Sequence, residues 1–168
     1  TQFLPEQDRY SHSKQRLESQ ISSMFGGRIA EELVFGAEAV TTGASNDIER
    51  ATEIARNMVT KWGLSSLGPI TFGEDEGEVF LGRSVTKHKE VSDETAAAID
   101  AEIKTILNRN YARAKKIIEG DKEKLMLMAD ALMLYETVDN KQLQDIMEGK
   151  KPRKPKGWIS KKKKAVAK

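Results

Sequence analysis

The chain has 168 residues, of which 38% are hydrophobic and 32% are charged, and its net charge at pH 7 is +2. This composition is typical of a helix-rich globular protein with one sizeable core, or with one domain and a tail. The absence of cysteine excludes disulfides and thiolate metal sites. No apolar run approaches the 18 or so residues that a membrane-spanning helix needs.

The first predicted elements are the end of a strand and a long helix. The opening segment "TQFLP" resembles a strand end, since Pro5 cannot continue a central strand. A helix is predicted to begin near Ser11 or Ser13 and to end at about Phe35, before Gly36. Its apolar side comprises Leu17, Ile21, Met24, Phe25 and Leu33. The pair Gly26-Gly27 inside this stretch indicates either a break between two shorter helices or the close approach of another helix.

The segment "VTTGASNDIERATEIARNMVTKWG" predicts a loop followed by an amphipathic helix with Asn46 as its N-cap and Glu49 completing a capping box. At about 100° per residue, one broad apolar face comprises Ile48, Ala51, Ile54, Ala55, Met58, Val59 and Trp62. Asp47 lies within this face, close in azimuth to Ile54 and Met58. An acid in the first helical turn is favourable for the helix dipole, but a carboxylate on a buried face requires a cation, hydrogen-bond donors or a metal.

The remaining elements are a β element and three helices. The glycine-rich stretch 64–85 predicts a β-hairpin or a structured loop. Ser92 is predicted to cap a long helix with a stripe that comprises Ala96, Ile99, Ile103, Ile106, Ala114 and Ile117. The next helix opens at Asp121, with Leu125, Met128, Ala129 and Leu132 predicted to point inward, and Asp139 with Gln142 predicts a capping box for the last one. The predicted fold class is therefore mainly α with a small β-hairpin or edge-strand element.

The charge is divided between a body and a tail. Residues 150–168 carry ten Lys or Arg and no acid, whereas residues 1–149 carry 18 basic and 26 acidic residues. Residues 150–168 are accordingly expected to be a disordered basic tail, and residues 1–149 to form the folded part. A Lys-rich tail attracts anionic partners without sequence preference, and with Trp158 as its one aromatic residue it predicts no specific nucleic-acid binding.

Other candidates for chemistry give weaker signals. Glu31 and Glu32 would ordinarily both be solvated, although Glu31 is close in azimuth to Met24 and Leu17 and could turn inward to orient a metal ligand. His12 and His88 are far apart and form no H-E-x-x-H pair, so neither is assigned a role.

Several segments together resemble the peptidase domain of the FtsH family, whose members are membrane-anchored, ATP-dependent zinc metalloproteases. The similarity runs from about Phe3 to Met147 and is carried by "LESQISSMFGGRIAEELVFG", "VTTGASNDIERATEIARNMVTKWGLSSLGPITF", "EGEVFLGRSV", "VSDETAAAIDAEIKTIL" and "DALMLYETVD". The resemblance implies that Asp47, the Asp of TGASND, is the third protein ligand of a catalytic zinc. It also implies that Glu31, the first Glu of the AEE motif, supports the zinc site without binding the metal. The "TQFLP" segment resembles the edge strand to which substrate adds.

The family's H-E-x-x-H motif, which supplies two histidine ligands and the general-base Glu, is absent from this sequence. We expect it, the ATPase module with ATP and Mg, and the membrane anchor upstream of Thr1, so the chain alone is expected to be inactive and soluble. The resemblance implies a parent that is a homo-hexamer on the cytoplasmic face of a bacterial inner membrane and degrades unfolded or damaged polypeptides. The alternatives are a non-enzymatic helical interaction module with a basic tail, or a pseudoprotease subunit.

Overall fold

The computed structural model describes residues 11–72, 91–155, 157 and 158 of the chain. These residues form six α-helices and no β-strand, which confirms the mainly α fold class. The helices are α1 (Lys14–Met24), α2 (Gly26–Phe35), α3 (Ser45–Thr60), α4 (Asp93–Gly120), α5 (Lys122–Tyr135) and α6 (Asn140–Met147). The predicted edge strand and most of the predicted β-hairpin lie outside the described residues. Among the helices described, none has the length and apolar character required to cross a membrane.

The chain divides into two compact units, Thr1–Lys116 and Ile117–Lys168, and the boundary falls within α4. In unit 1, the predicted first helix is two helices. Ser13 caps α1 by accepting a hydrogen bond from the backbone N–H of Arg16 at 3.3 Å. The helix ends at Met24, and α2 begins at Gly26. A Cβ added at Gly26 or Gly27 would meet nothing within 4 Å, so the glycines coincide with the break and not with a close approach in the described structure.

The core of unit 1 combines apolar faces of α1, α2, α3 and α4. Its buried apolar side chains are Leu17, Ile21, Met24, Phe25, Ile29, Ala44, Ala51, Ala55, Met58, Val59, Ile99, Ile103, Ile106 and Ala114. One polar pair is buried with them, since the Ser22 hydroxyl donates to Oδ1 of Asn110 at 2.9 Å. The Asn110 amide in turn donates to the carbonyl of Ile106 at 2.9 Å. This pair fixes α1 against α4, because a buried polar group left without a partner costs about 1–3 kcal/mol.

The sequence predicted the N-terminal cap of α4 and most of its apolar stripe. Ser92 accepts a hydrogen bond from the backbone N–H of Thr95 at 3.1 Å, as a cap does. Ile99, Ile103 and Ile106 are buried as predicted. The stripe does not extend to Ile117, which is 54% exposed and lies in unit 2.

In unit 2, α5 packs against α6. The prediction for the inward face of α5 was wrong in part: Ala129 and Leu132 are exposed, and Ala131 is the buried residue. The segment "LMLMADALMLY" is apolar around most of the helix, so its periodicity does not select one face. On α6, the predicted capping box between Asp139 and Gln142 is present in both directions.

The chain after α6 packs back onto that helix. Both carboxylate oxygens of Asp145 accept hydrogen bonds from the guanidinium of Arg153, at 2.6 and 2.7 Å, and one also accepts from its backbone N–H. These bonds hold the pKa of Asp145 well below its ordinary value. The rings of Tyr135 and Trp158 meet edge to face at 5.1 Å. Ordered contacts therefore continue past Lys150, where sequence analysis begins the tail.

Candidate metal-ligand site at the start of α3

Asp47 is the third residue of α3 and is half-buried. On the same broad face, Ala51, Ala55, Met58 and Val59 are fully buried, as the sequence predicted. Ile48 and Trp62, at the two ends of this face, are 37% and 47% exposed. The core of unit 1 therefore covers the middle turns of α3, and within the described structure the first turn, which carries Asp47, is only partly covered.

The predicted capping box at the start of α3 was wrong. The helix begins at Ser45, and its N-cap residue is Ala44, which makes no side-chain cap bond. Asn46 and Glu49 are exposed. The reason is that a 3₁₀ turn at Thr42–Ala44 leads directly into the helix, with the backbone N–H of Ser45 already donating to the carbonyl of Thr42. The chain is therefore helical before it reaches Asn46.

The segment that positions the start of α3 is Thr41 together with this 3₁₀ turn, and we call residues 41–44 the Thr41 turn. Thr41 has extended backbone angles and caps the turn, because its hydroxyl oxygen accepts a hydrogen bond from the backbone N–H of Gly43 at 3.2 Å. A side-chain oxygen in this role satisfies a backbone donor that the short helix leaves without a partner.

Glu31 on α2 accepts two hydrogen bonds from Thr41. Its Oε2 accepts from the backbone N–H of Thr41 at 3.0 Å, and its Oε1 accepts from the Thr41 hydroxyl at 2.8 Å. The backbone N–H, and then the hydroxyl, lower the pKa of the Glu31 carboxyl below its ordinary value of 4.5. Glu31 thus connects α2 to the turn that leads into the Asp47 helix.

Glu32, the second acid of the pair, faces α4. Its carboxylate accepts hydrogen bonds from the hydroxyl of Tyr111 and from the ammonium of Lys115, the latter at 3.1 Å. The Tyr111 hydroxyl is the largest cause that lowers the pKa of Glu32. Burial, followed by the bond to Glu32, raises the pKa of Tyr111 to about 12. Glu31 and Glu32 are both half-buried, and each carboxylate has protein partners in addition to its contact with solvent.

The described residues contain no group of three His, Cys, Asp or Glu side chains that could together hold a metal ion. His12 is exposed before the start of α1, and His88 lies outside the described residues. Asp47 is therefore a candidate for one position of a metal site, and the described residues do not complete such a site. A half-buried carboxylate on a partly covered helical turn fits one position of a zinc site, because carboxylate oxygen is an ordinary zinc donor. Any such site also needs ligands from outside the described residues.

Sequence reasoning selected Asp47 and Glu31 but missed Thr41. Glu31 and Thr41 are ten residues apart and are separated by Gly36 and a second 3₁₀ turn, Ala37–Ala39. No helical or strand periodicity connects residues across such a loop. The available signal was the spacing of Thr41 and Gly43, since a threonine often bonds the backbone two residues later.

Comparison with known proteins gives one consistent family. The model of peptidase family M41 matches residues 1–146. The ATP-dependent zinc metalloprotease FtsH of Photobacterium profundum is 57% identical over 160 residues, which cover 94% of this chain and 23% of that protein. The protein of the same name from Buchnera aphidicola subsp. Schizaphis graminum is 56% identical, over 95% of this chain and 26% of its own length. The protein of the same name from Haemophilus influenzae is 54% identical, over 94% of this chain and 25% of its own length. The chain thus spans about a quarter of the length of the curated relatives it matches.

Proposed function

The chain belongs to peptidase family M41, and from this we propose that it forms part of an ATP-dependent zinc metalloendopeptidase. The observation that carries the proposal is the family match over residues 1–146, a range that includes Glu31, the Thr41 turn and Asp47. The relatives whose names state this activity are 54–57% identical to the chain over most of its length. Such similarity supports the same reaction class, namely hydrolysis of peptide bonds.

We further propose that the parent protein assembles as a homo-hexamer, binds ATP and Mg in an ATPase module, and is anchored at the cytoplasmic face of a bacterial inner membrane. Its substrates would be unfolded or damaged membrane and cytosolic polypeptides. These statements rest on the resemblance of the chain to the FtsH family, and they concern parts of the parent that lie outside the 168 residues.

Within this chain, Asp47 is proposed as the third protein ligand of the catalytic zinc, with the other two ligands and the general-base Glu supplied by an H-E-x-x-H segment of the parent. When bound, zinc lowers the pKa of a water molecule and polarises the scissile carbonyl. The Asp47 side chain is half-buried and lies on the partly covered first turn of α3. Glu31 is proposed as a residue that positions the ligand without binding the metal, through the two bonds that it accepts from Thr41.

The test is the substitution Asp47→Asn in the full-length parent, because Asn keeps the shape of the side chain and removes its negative charge. We expect about one zinc per chain in the wild type, a clear loss of zinc in the variant, and loss of proteolysis with ATPase activity retained. Glu49→Gln is the matched control, since it removes an exposed acid two residues away on the same helix. An Asp47→Asn enzyme with full zinc content and normal proteolysis would overturn the assignment.

A further inference from the structure

We propose that Thr41 is a positioning residue for the candidate metal site, and that its hydroxyl transmits the constraint set by Glu31 to the first turn of α3. The inference rests on the proposed function, because it concerns the placement of Asp47 as a ligand. It differs from that proposal in assigning the effect to one hydroxyl group, which lies outside the helix that carries Asp47.

The first step is the absence of a local cap on α3. The N-cap position is Ala44, which has no side chain able to accept from the first helical N–H groups. A helix start without a side-chain cap is less stable by about 0.5–2 kcal/mol and tends to fray. The Thr41 turn, which leads directly into the first turn of α3, is therefore one constraint on the position of that turn.

The second step is the way in which Glu31 binds Thr41. Two donors of one residue, the backbone N–H and the side-chain hydroxyl, bind the two oxygens of one carboxylate at 3.0 and 2.8 Å. Two bonds between the same residues fix both the position of the Thr41 backbone and the rotation of its side chain. Hydrogen bonds to an ionised carboxylate are also stronger than bonds between neutral groups.

The third step is the direction of the hydroxyl bonds. A threonine hydroxyl has one proton, and here that proton points at Glu31. The hydroxyl oxygen is then left as the acceptor for the backbone N–H of Gly43 at 3.2 Å. One hydroxyl thus connects the carboxylate on α2 with the backbone of the turn that leads into α3.

The fourth step is the space around Gly43. A Cβ added there would lie 3.2 Å from the hydroxyl oxygen of Thr41 and 3.7 Å from Oε1 of Glu31. The two side chains thus pack directly against the turn. Because Gly43 precedes Asp47 by four residues and Ser45 is already helical, a shift of the turn moves the Asp47 backbone as well.

The test compares Thr41→Val with Thr41→Ser in the full-length parent enzyme. Valine keeps the shape and the backbone N–H and removes the hydroxyl, whereas serine keeps the hydroxyl. We expect Thr41→Val to lower kcat for a fluorogenic peptide about tenfold and to weaken zinc binding, measured by competition with a chelator, about tenfold. The KM and the ATPase rate should stay near wild type, and Thr41→Ser should restore kcat and zinc affinity. Thr137→Val is the matched control, since it makes the same change at an exposed threonine between α5 and α6, outside the Thr41 turn.

A measurement without metal separates this inference from the proposed function. In chelator-treated enzyme, Thr41→Val should increase hydrogen exchange in residues 41–47, because the Gly43 N–H loses its acceptor.

Gly43→Ala, which crowds the same hydroxyl, should weaken zinc binding in the same direction. A double variant Glu31→Ala/Thr41→Val should lose less zinc affinity than the sum of the two single losses, since both changes break the bond between Glu31 and Thr41.

The inference is overturned if Thr41→Val matches Thr137→Val in zinc affinity and kcat while Asp47→Asn still loses its zinc. It is also overturned if serine fails to restore what valine removes, because the hydroxyl would then not be the cause. If instead Asp47→Asn keeps its zinc, the proposed function fails and this inference fails with it.

Discussion

The helices α3 and α6 begin in different ways. At α6, the carboxylate of Asp139 accepts from the backbone N–H of Gln142 at 2.8 Å, and the Gln142 side chain accepts from the backbone N–H of Asp139 at 3.0 Å. This capping box lies entirely within four residues of sequence. At α3 the N-cap residue, Ala44, makes no side-chain cap bond, and the turn before the helix is held by Glu31, ten residues before Thr41 on α2.

This difference shows how the start of a helix can be placed by tertiary contacts and not by a cap within the helix itself. A local capping box fixes a helix start relative to itself, whereas the bonds between Glu31 and Thr41 fix the start of α3 relative to α2. A candidate metal ligand in the first turn needs the second kind of constraint, because the other ligands proposed for the zinc come from a separate segment of the parent protein. The comparison therefore predicts that substitutions at the two helix starts affect different properties.

The largest effect is expected at Glu31. In the full-length parent, Glu31→Ala removes both acceptors of Thr41, and we expect proteolysis and zinc affinity to fall about 10–100-fold, which is typical when groups behind a metal ligand are lost. Glu38→Ala is the control, because it removes an exposed acid from the same connection between α2 and α3. Equal rates for the two variants would contradict the distinction between the helix starts.

The pH dependence of the same contact has a definite sign. The backbone N–H and the hydroxyl of Thr41 lower the pKa of Glu31 below 4.5. The stability that this carboxylate contributes is therefore fully present above about pH 4.5 and is lost as the pH falls through its folded pKa. The difference in unfolding free energy between wild type and Glu31→Ala, measured by urea denaturation, should be constant near neutral pH and should shrink in acid. A difference that grows as the pH falls would contradict this assignment.

The sequence predicted local contacts better than tertiary ones. The caps at Ser92 and Asp139 were predicted because their donors and acceptors lie within three residues of each other. The first helix was predicted to begin near Ser11 or Ser13, and Ser13 is its cap. The predicted cap at Asn46 was wrong, because a 3₁₀ turn brings the chain into the helix already at Ser45, one residue earlier. No sequence periodicity indicates such a turn. The prediction of the inward face of α5 was wrong in part for a different reason. This helix is apolar on almost all sides, so its sequence pattern does not indicate which side is buried.

For the candidate site, the family resemblance selected Asp47 and Glu31, and the zinc role of the one and the positioning role of the other stay predictions. The contact between Glu31 and Thr41 could not be predicted, because it depends on how a loop of irregular structure returns to α2. Local signals thus predicted helices and caps, while the arrangement that connects two helices at the site required the structure.

A smaller effect is expected at the start of α6. Asp139→Ala removes the acceptor of the Gln142 N–H and should lower the unfolding free energy by about 1 kcal/mol, as loss of a side-chain N-cap does. Urea denaturation of the 168-residue chain measures this change. Asn140→Ala, at the exposed first residue of the helix, is the control and should have little effect. A loss below about 0.3 kcal/mol for Asp139→Ala would mean that the box contributes less than its geometry indicates.

The smallest effect on the unfolding free energy is expected for Asn46→Ala. This substitution tests directly whether α3 begins with a side-chain cap or after the Thr41 turn. If Asn46 were a cap, Asn46→Ala would cost about 1 kcal/mol, as at Asp139. In the structure Asn46 is the exposed second residue of α3, where alanine has the higher helix propensity. We therefore expect the unfolding free energy to stay unchanged or to rise by up to about 0.5 kcal/mol. A loss of about 1 kcal/mol, as for a side-chain N-cap, would place the helix start at Asn46. The Thr41 turn would then not be needed to position Asp47.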